Sequence, residues 1–348
     1  MAFADLWAVE MLLAAFAGGA FGAAIGALPS FALAGVMVVV GELYALGART
    51  VGVETLPVDI TGTIAFGPVL GPHVAFGGGA AALAYVVQRD GLDIDFEYHE
   101  AKEVTRGLGS RPDVLAVGGA FGVAGYWIAT ASSAFAVPVD PVALGVVGSA
   151  LLHRAVFGYS IIGAPPSQWF DMRPYERAQR EGATVADGGL RVEPWLPYQY
   201  RWGNVAMLGL VVGLLGAYVA YVTGSPFLAF GITVAALVFL NAGVERIPVT
   251  HHIALPASTA VLALVDAPPA ALTPGLVAAE VSLLPALAVG AAFGVLGALL
   301  GEVLQRILYA HAETHLDPPA ASIVVTSLLI GLLAIAGVLP SAVWVPVP

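Results

Sequence analysis

The sequence predicts an all-α, polytopic membrane protein with about ten transmembrane helices. First, 59% of the 348 residues are hydrophobic and only 11% are charged, which is more apolar sequence than one soluble core needs. Second, apolar runs of about 18 residues or more recur along the chain, and each can cross a hydrocarbon core of ~30 Å. Third, the two halves of the chain share short motifs in the same order. Together these observations predict two five-helix repeats.

The apolar runs predict where the helices lie. In the first half we expect helices at 11–28, 30–48, 113–136 and 141–163, with a broken helix at 58–88. In the second half we expect helices at 204–222, 226–244, 252–265, 285–309 and 319–339, with an apolar hairpin or re-entrant piece at 272–284. The predicted domains are therefore a first repeat at 1–163, a connection at 164–203 and a second repeat at 204–348.

Two charged stretches predict the orientation. Residues 89–111 hold four lysines and arginines, and residues 173–201 hold five. Because two predicted helices separate these stretches, both lie on one side, which the positive-inside rule makes the cytoplasm. Counting outward from there predicts a multi-pass protein of the cell membrane with both termini outside the cell.

The repeat is visible in matched segments. LAVGGAFGV at Leu115 recurs as LAVGAAFGV at Leu287, and DPVALGVVGSALL at Asp140 recurs as DPPAASIVVTSLL at Asp317. An odd number of crossings in each unit turns the second unit upside down in the membrane. The sequence therefore predicts an inverted repeat, with functional groups near the pseudo-two-fold axis between the units.

Two breaks in the apolar sequence predict the functional site. FGPVLGPHVAFGGG at residues 66–79 is one, and PHVAFG within it matches HHIALP at His251. Unwound backbone inside a bilayer is tolerated where it is buried in protein or lines a water-filled cavity, so we expect a path there. The predicted solute or ion path contains Pro72, His73, Gly77, Thr250, His251, His252, Glu42 and Arg154. The alternative is that the histidines only satisfy backbone groups freed by the prolines.

Glu42 and Arg154 are predicted to form a buried pair, because an arginine at membrane depth must pair or face water. The alternative is that the helix predicted at 141–163 ends early. In that case Arg154 would extend its guanidinium to the cytoplasmic surface.

Composition excludes several other functions. The chain has no cysteine, so disulfides and thiolate metal sites are excluded. A net charge of −11, with one lysine beside twelve arginines, is typical of salt-adapted proteins and argues against nucleic acid as a partner. No catalytic or nucleotide-binding motif is present, so we expect neither enzymatic activity nor a cofactor.

Two polar clusters suggest metal ligands but predict no metal. His311 and His315 would share a helix face with zinc-like i, i+4 spacing, yet the sequence does not supply a third strong ligand. The acids from Asp93 and Asp95 to Glu103 lack the glycine of a calcium-binding loop and are expected to be solvated.

The order of motifs resembles a known family. GGAFG at Gly18, followed by Ala-Leu-Pro, GPHVAFGGG and DVLAVGGAFG, resembles a family of multi-pass membrane proteins from haloarchaea and some bacteria. Separately, the five-plus-five arrangement is similar to urea transporters in architecture, although Leu56-Pro57 and Leu255-Pro256 echo their filter motif only faintly.

The sequence therefore predicts a channel or facilitator for a small solute or ion, embedded in the lipid bilayer as a homo-oligomer. A proton- or sodium-coupled secondary transporter is the main alternative. A membrane subunit that transports nothing is the third, since glycine-rich breaks also permit close packing.

Overall fold

A computed structural model describes residues 3–53, 57–92, 94 and 96–348, and the described chain is helical with no β-strand. Leu56, Asp93 and Asp95 lie outside the described residues. The first half contains α1 (Val9–Ile25), α2 (Ala27–Thr50), α3 (Ala75–Arg89), α4 (Pro112–Ala134) and α5 (Pro141–Phe157). The rest contains α6 (Arg173–Glu181), α7 (Trp202–Thr223), α8 (Leu228–Ala235), α9 (Leu237–Asn241), α10 (His251–Leu262), α11 (Pro274–Glu280), α12 (Leu283–Leu308) and α13 (Pro318–Ile335).

Five of these helices, α2, α4, α7, α12 and α13, are long and apolar enough to cross a membrane. Three shorter apolar segments, α1, α5 and the α8–α9 pair, accompany them. The prediction of an all-α protein whose apolar helices are long enough to span a membrane is confirmed for the described residues. The prediction of ten spans in two inverted repeats stays a prediction.

Helix boundaries differ from the predicted ones where glycine or proline intervenes. The predicted helix at 58–88 is a π-helical turn (Ile60–Ala65), an irregular segment and α3. The helix predicted to end at residue 163 ends instead at Phe157, because Gly158 adopts a left-handed conformation with φ of 78°. Its N–H donates to the carbonyl of Arg154 and closes the last turn.

Small residues bring corresponding helices together in both halves. Gly19 of α1 lies against Gly118 and Gly122 of α4, where a Cβ added to Gly122 would approach the Gly19 Cα to 2.8 Å. In the same way, Gly213 of α7 lies against Gly290, where a Cβ would approach the Gly213 carbonyl oxygen to 3.0 Å. Glycine at these positions permits backbone contact where lipid supplies no hydrophobic drive between helices.

The two halves also contact each other reciprocally. Gly35 of α2 packs against Val234 of α8, and Gly231 of α8 packs against Val38 of α2. These pairs run in opposite directions along the two helices, so α2 and α8 are antiparallel. In each contact a glycine of one half packs against a valine of the other half, and the two contacts differ only in which half supplies the glycine.

Helices α5 and α13 are antiparallel as well. The Asp140 N–H at the start of α5 donates to the Ser327 Oγ in the middle of α13 at 2.8 Å. Further along α5, Ala150 packs with Leu316 and Ala321 at the start of α13. The first residues of both helices therefore lie at opposite ends of a shared interface.

We predict that Gly125→Ala destabilises the protein strongly. A Cβ at this position of α4 would lie 1.7 Å from the carbonyl oxygen of His73, so backbone must move. We expect a loss of about 1–3 kcal/mol in the free energy of unfolding, as for overpacked cores. Thermal unfolding in detergent, followed by tryptophan fluorescence, measures it.

Gly47→Ala in α2 is the matched control, because nothing lies within 4 Å of its added Cβ. It should leave the melting temperature unchanged or raise it slightly, since alanine favours a helix more than glycine does. Equal melting temperatures for the two variants would contradict the close approach at Gly125.

Candidate functional site

A cavity of about 110 Å³ lies between the two halves, and side chains from both halves form its wall. Its aromatic wall residues are Phe31, Phe66, Phe76, Phe227, Phe230 and Trp344. Smaller apolar side chains of α5 and α13, including Ala143 and Ala320, complete much of the remaining wall. We call this space the inner cavity.

A larger cavity of about 400 Å³ adjoins the inner cavity and is lined by the loops at 96–105 and 195–198. We call it the vestibule. The two cavities share three wall residues, Phe31, His251 and Asp317. These three side chains therefore form the junction between the charged loops and the interior of the protein.

Two aspartates at helix starts face the inner cavity. Asp140 caps α5, where its Oδ1 accepts the N–H of Val142 at 2.8 Å and of Ala143 at 3.1 Å. Asp317 caps α13, where its Oδ2 accepts the N–H of Ala320 at 2.8 Å. The sequence Asp-Pro explains both starts, since aspartate is a preferred N-cap and proline suits the first helical turn.

The two caps are well separated along α13. Asp140 is bonded to Ser327, which is ten residues beyond Asp317 in α13. At 1.5 Å per helical residue, the two aspartates are separated by roughly 15 Å along α13. Both aspartates line the inner cavity, at separate places along this helix.

His251 is the polar side chain at the junction. It begins α10, is only 3% exposed and packs edge-on against Phe31 and Phe230, with ring centroids 5.0 and 5.7 Å away. Its Nδ1 has no hydrogen-bond partner among the described residues. Thr250 precedes it at the N-cap position of α10 and is also buried.

The predicted histidine pair lies behind the cavity wall. His73 packs against Gly125 of α4 and Gly145 of α5, whereas His252 packs against Gly297 and Gly301 of α12. Neither histidine lines the inner cavity or the vestibule.

The two histidines do occupy corresponding places. The carbonyl of each faces a glycine of the neighbouring long helix, Gly125 for His73 and Gly297 for His252. Of the other predicted residues in the first break, Pro72 lines the inner cavity, and Gly77 contacts the Ser149 side chain of α5.

The predicted pair of Glu42 and Arg154 is wrong. Glu42 instead accepts hydrogen bonds from the Thr61 hydroxyl at 2.8 Å and the Ser225 hydroxyl at 2.6 Å. It therefore joins α2 to the π-helical turn and to the start of α8, away from Arg154.

Arg154 is bound by backbone and hydroxyl oxygens. It donates to the Thr314 hydroxyl at 2.9 Å, to the Thr314 carbonyl at 2.8 Å and to the Ile161 carbonyl at 2.6 Å. Arg154 is fully buried, so the alternative that its guanidinium reaches the surface is also wrong. The turn at Gly158 brings the Ile161 carbonyl back to the end of α5 and makes this arrangement possible.

A buried ion pair closes one wall of the vestibule. The Lys102 Nζ donates to the Glu193 Oε2 at 2.8 Å, and the His99 ring bonds the other carboxylate oxygen. Lys102 also lies 4.5 Å from the Tyr309 ring centroid, within cation–π distance. Burial alone would raise the pKa of the Glu193 carboxyl, but the Lys102 ammonium and His99 hold it below its ordinary value.

This pair was missed in the sequence, although one signal was available. Lys102 is the only lysine in the chain, where every other basic side chain apart from histidine is arginine. Lysine fits a single buried carboxylate as a compact point charge, whereas arginine presents a wider fork of donors.

The predicted helical spacing of His311 and His315 is wrong, because α12 ends at Leu308. His311 packs against Trp169, with ring centroids 5.4 Å apart, whereas the His315 Nε2 lies 3.5 Å from the Asp317 carboxylate. Within the described residues, no group of three or more histidines and acids is arranged to hold a metal ion.

Comparison with known proteins gives one match. Residues 1–348 match the profile of a family of unknown function (DUF7973). No curated protein and no solved structure matches the chain. The similarity to urea transporters therefore stays a prediction from the sequence.

We predict that Glu193→Gln destabilises the protein by about 3–5 kcal/mol, because it leaves the Lys102 ammonium buried without its carboxylate. The pH dependence should change too. With a folded pKa below the ordinary value of about 4.3, the carboxylate stabilises the protein above that pH and loses this effect as pH falls through the folded value.

Melting temperatures in detergent from about pH 3 to about pH 7 test this prediction. Wild type should lose stability toward the acidic end, and Glu193→Gln should start lower and show a flatter profile. Glu181→Gln, at an exposed position of α6, is the control and should follow wild type. A Glu193→Gln profile that overlays wild type would refute the structural role of the pair.

Proposed function

The chain belongs to the family of unknown function (DUF7973), and from its structure we infer what it does. We propose that it is a membrane channel or facilitator for a small solute or ion. The path runs from the vestibule past the junction into the inner cavity.

One observation carries this proposal. Two cavities, one among charged loops and one between the halves, share Phe31, His251 and Asp317 in their walls. In this proposal, the three shared side chains separate the vestibule from the interior, and a solute passes them. A subunit that served only for packing would have no need of adjoining cavities with polar groups at their junction.

The proposed architecture is two inverted five-helix repeats. The exchanged contacts of Gly35 and Gly231 support a pseudo-two-fold axis between α2 and α8. The antiparallel contact of α5 with α13 supports the same axis, since these helices begin with the matching Asp-Pro motifs. In transporters built this way, binding sites lie near the bilayer midplane where the repeats meet.

The proposed setting is the cell membrane, with the vestibule on the cytoplasmic side and both termini outside. The arginine-bearing loops support this orientation, because the stretch containing Lys102 and the stretch containing Glu193 are bonded to each other. A homo-oligomer remains part of the proposal; the exposed apolar side chains on α7, such as Val211 and Tyr218, can contact either lipid or a second copy.

We predict that Ala320→Phe blocks transport. Ala320 is a small, buried wall residue of the inner cavity, and a phenyl ring there would fill much of a space of about 110 Å³. Flux measured in proteoliposomes by light scattering should fall roughly tenfold or more, a difference of about 1.4 kcal/mol or more in barrier height. Urea, glycerol, methylammonium chloride and sodium chloride are the probes.

Ala17→Phe is the matched control, because Ala17 lies exposed on α1. It should retain wild-type flux, and size-exclusion profiles should show that both variants fold. Ala143→Phe, on the corresponding wall of α5, provides a second obstruction if Ala320→Phe does not fold.

Three outcomes decide between the functions. Passive flux of a solute down its own concentration gradient supports the channel, provided that Ala320→Phe abolishes this flux. Flux that requires an imposed proton or sodium gradient would replace the channel with a coupled transporter. No flux of any probe in wild type, together with a stoichiometric partner on purification, would replace it with a structural subunit.

A further inference from the structure

The inner cavity has an unusually aromatic wall. Phe66 and Phe227 have ring centroids 5.3 Å apart, and Phe227 and Trp344 are equally close. Phe31 continues the series, with its ring centroid 6.0 Å from that of Phe76. These pairs are edge-to-face or tilted, so neighbouring rings present different sides to one another. Wherever a ring presents its face to the cavity, the negative electrostatic potential of that face attracts a cation.

The charged groups of the cavity wall also favour a cation. Its ionisable side chains, among the described lining residues, are Asp140, Asp317 and His251, with no lysine or arginine. The Asp317 Oδ2 accepts the N–H of Ala320 in α13, and the Asp317 Oδ1 lies 3.5 Å from the His315 Nε2. In a low-dielectric space, two carboxylates in one wall favour a positive charge between them.

His251 supplies an independent polar contact at the entrance. The residue is only 3% exposed and lines both cavities. Its Nδ1 has no hydrogen-bond partner among the described residues. Neutral imidazole with its proton on Nε2 offers Nδ1 as an acceptor for an N–H group. A small turn of the imidazole toward the cavity would let a solute with an N–H donor satisfy this atom.

Other solute classes fit the inner cavity less well. A bare metal cation needs about six oxygen ligands, but the wall is mostly carbon. An anion would be repelled by the two carboxylates, and a neutral solute would gain nothing from them. An alkylammonium ion uses both features, because its charge meets the carboxylates and ring faces while its methyl groups contact the apolar wall.

We propose that the inner cavity binds a small alkylammonium cation, held between Asp140 and Asp317 and enclosed by the aromatic rings. This inference rests on the proposed function, because it names the solute class that the path conducts. His251 acts at the junction as the hydrogen-bond acceptor for cations that carry an N–H.

Binding to the purified protein tests the inference separately from flux. Isothermal titration calorimetry in detergent is carried out with tetramethylammonium chloride and with tert-butanol, a neutral compound of similar shape. Tetramethylammonium should bind at least tenfold more tightly than tert-butanol. Equal binding of the two probes by wild type would overturn the inference, and this comparison needs no variant to fold.

Asp140→Asn and Asp317→Asn remove charge while keeping the caps, because asparagine is as good an N-cap as aspartate. Each should weaken tetramethylammonium binding at least tenfold and leave the melting temperature nearly unchanged. Asp59→Asn is the matched control, since Asp59 caps the exposed π-helical turn through the Gly62 N–H. Wild-type affinity in both cavity variants would overturn the inference.

Proteoliposome flux distinguishes failure of this inference from failure of the proposed function. Urea or glycerol flux blocked by Ala320→Phe, without selective cation binding, keeps the channel and rejects the cation. Selective cation binding without flux of any probe keeps the binding site and rejects the channel. Methylammonium flux that falls in His251→Leu, with tetramethylammonium binding unchanged, supports His251 as the N–H acceptor; equal methylammonium flux rejects that role.

Discussion

Every helix end that stops inside this apolar protein must have its free backbone groups satisfied by the protein itself. The penalty for a buried, unpaired N–H or C=O is several kcal/mol in a hydrocarbon environment, so the ends dictate where polar side chains occur. Asp140 and Asp317 satisfy the starts of α5 and α13, and the Ser225 hydroxyl accepts two N–H groups at the start of α8. The site depends on this constraint, since two of these caps form the polar part of the inner cavity.

Arginines in the last turns of two helices satisfy backbone carbonyls of neighbouring loops. Arg154 binds the carbonyls of Thr314 and Ile161. Arg306, in the last turn of α12, binds the Phe170 carbonyl at 2.5 Å and the Tyr200 carbonyl at 2.9 Å, with Glu302 compensating its charge. The planar fork of a guanidinium suits several carbonyls at once. Neither arginine lines the inner cavity, whose charged side chains among the described residues are therefore carboxylates.

The break at His251 shows how far a site can be predicted from sequence. The pattern located the broken segments, and two of the residues it selected, Pro72 and His251, line the inner cavity. It also predicted His73 and His252 for the path, but neither side chain lines the inner cavity or the vestibule. Adjacent residues at the start of a helix point about 100° apart, so a pattern that locates a break does not determine which of its residues faces the cavity. The Asp-Pro motifs were visible as a repeat, but their role as cavity caps depended on which helix ends meet.

The amino-acid sequence by itself determined the helical class, the positions of the apolar helices and the similarity between the halves. These properties follow from local composition and period, which each segment carries independently of the others. Only the tertiary structure decided that Glu42 bonds Thr61 and Ser225, that Lys102 bonds Glu193 and that His251 lines both cavities. The physical reason is distance along the chain. Glu42 and Ser225 are 183 residues apart, and Lys102 and Glu193 are 91 residues apart. Nothing in the segment around one partner specifies which residue the other partner is.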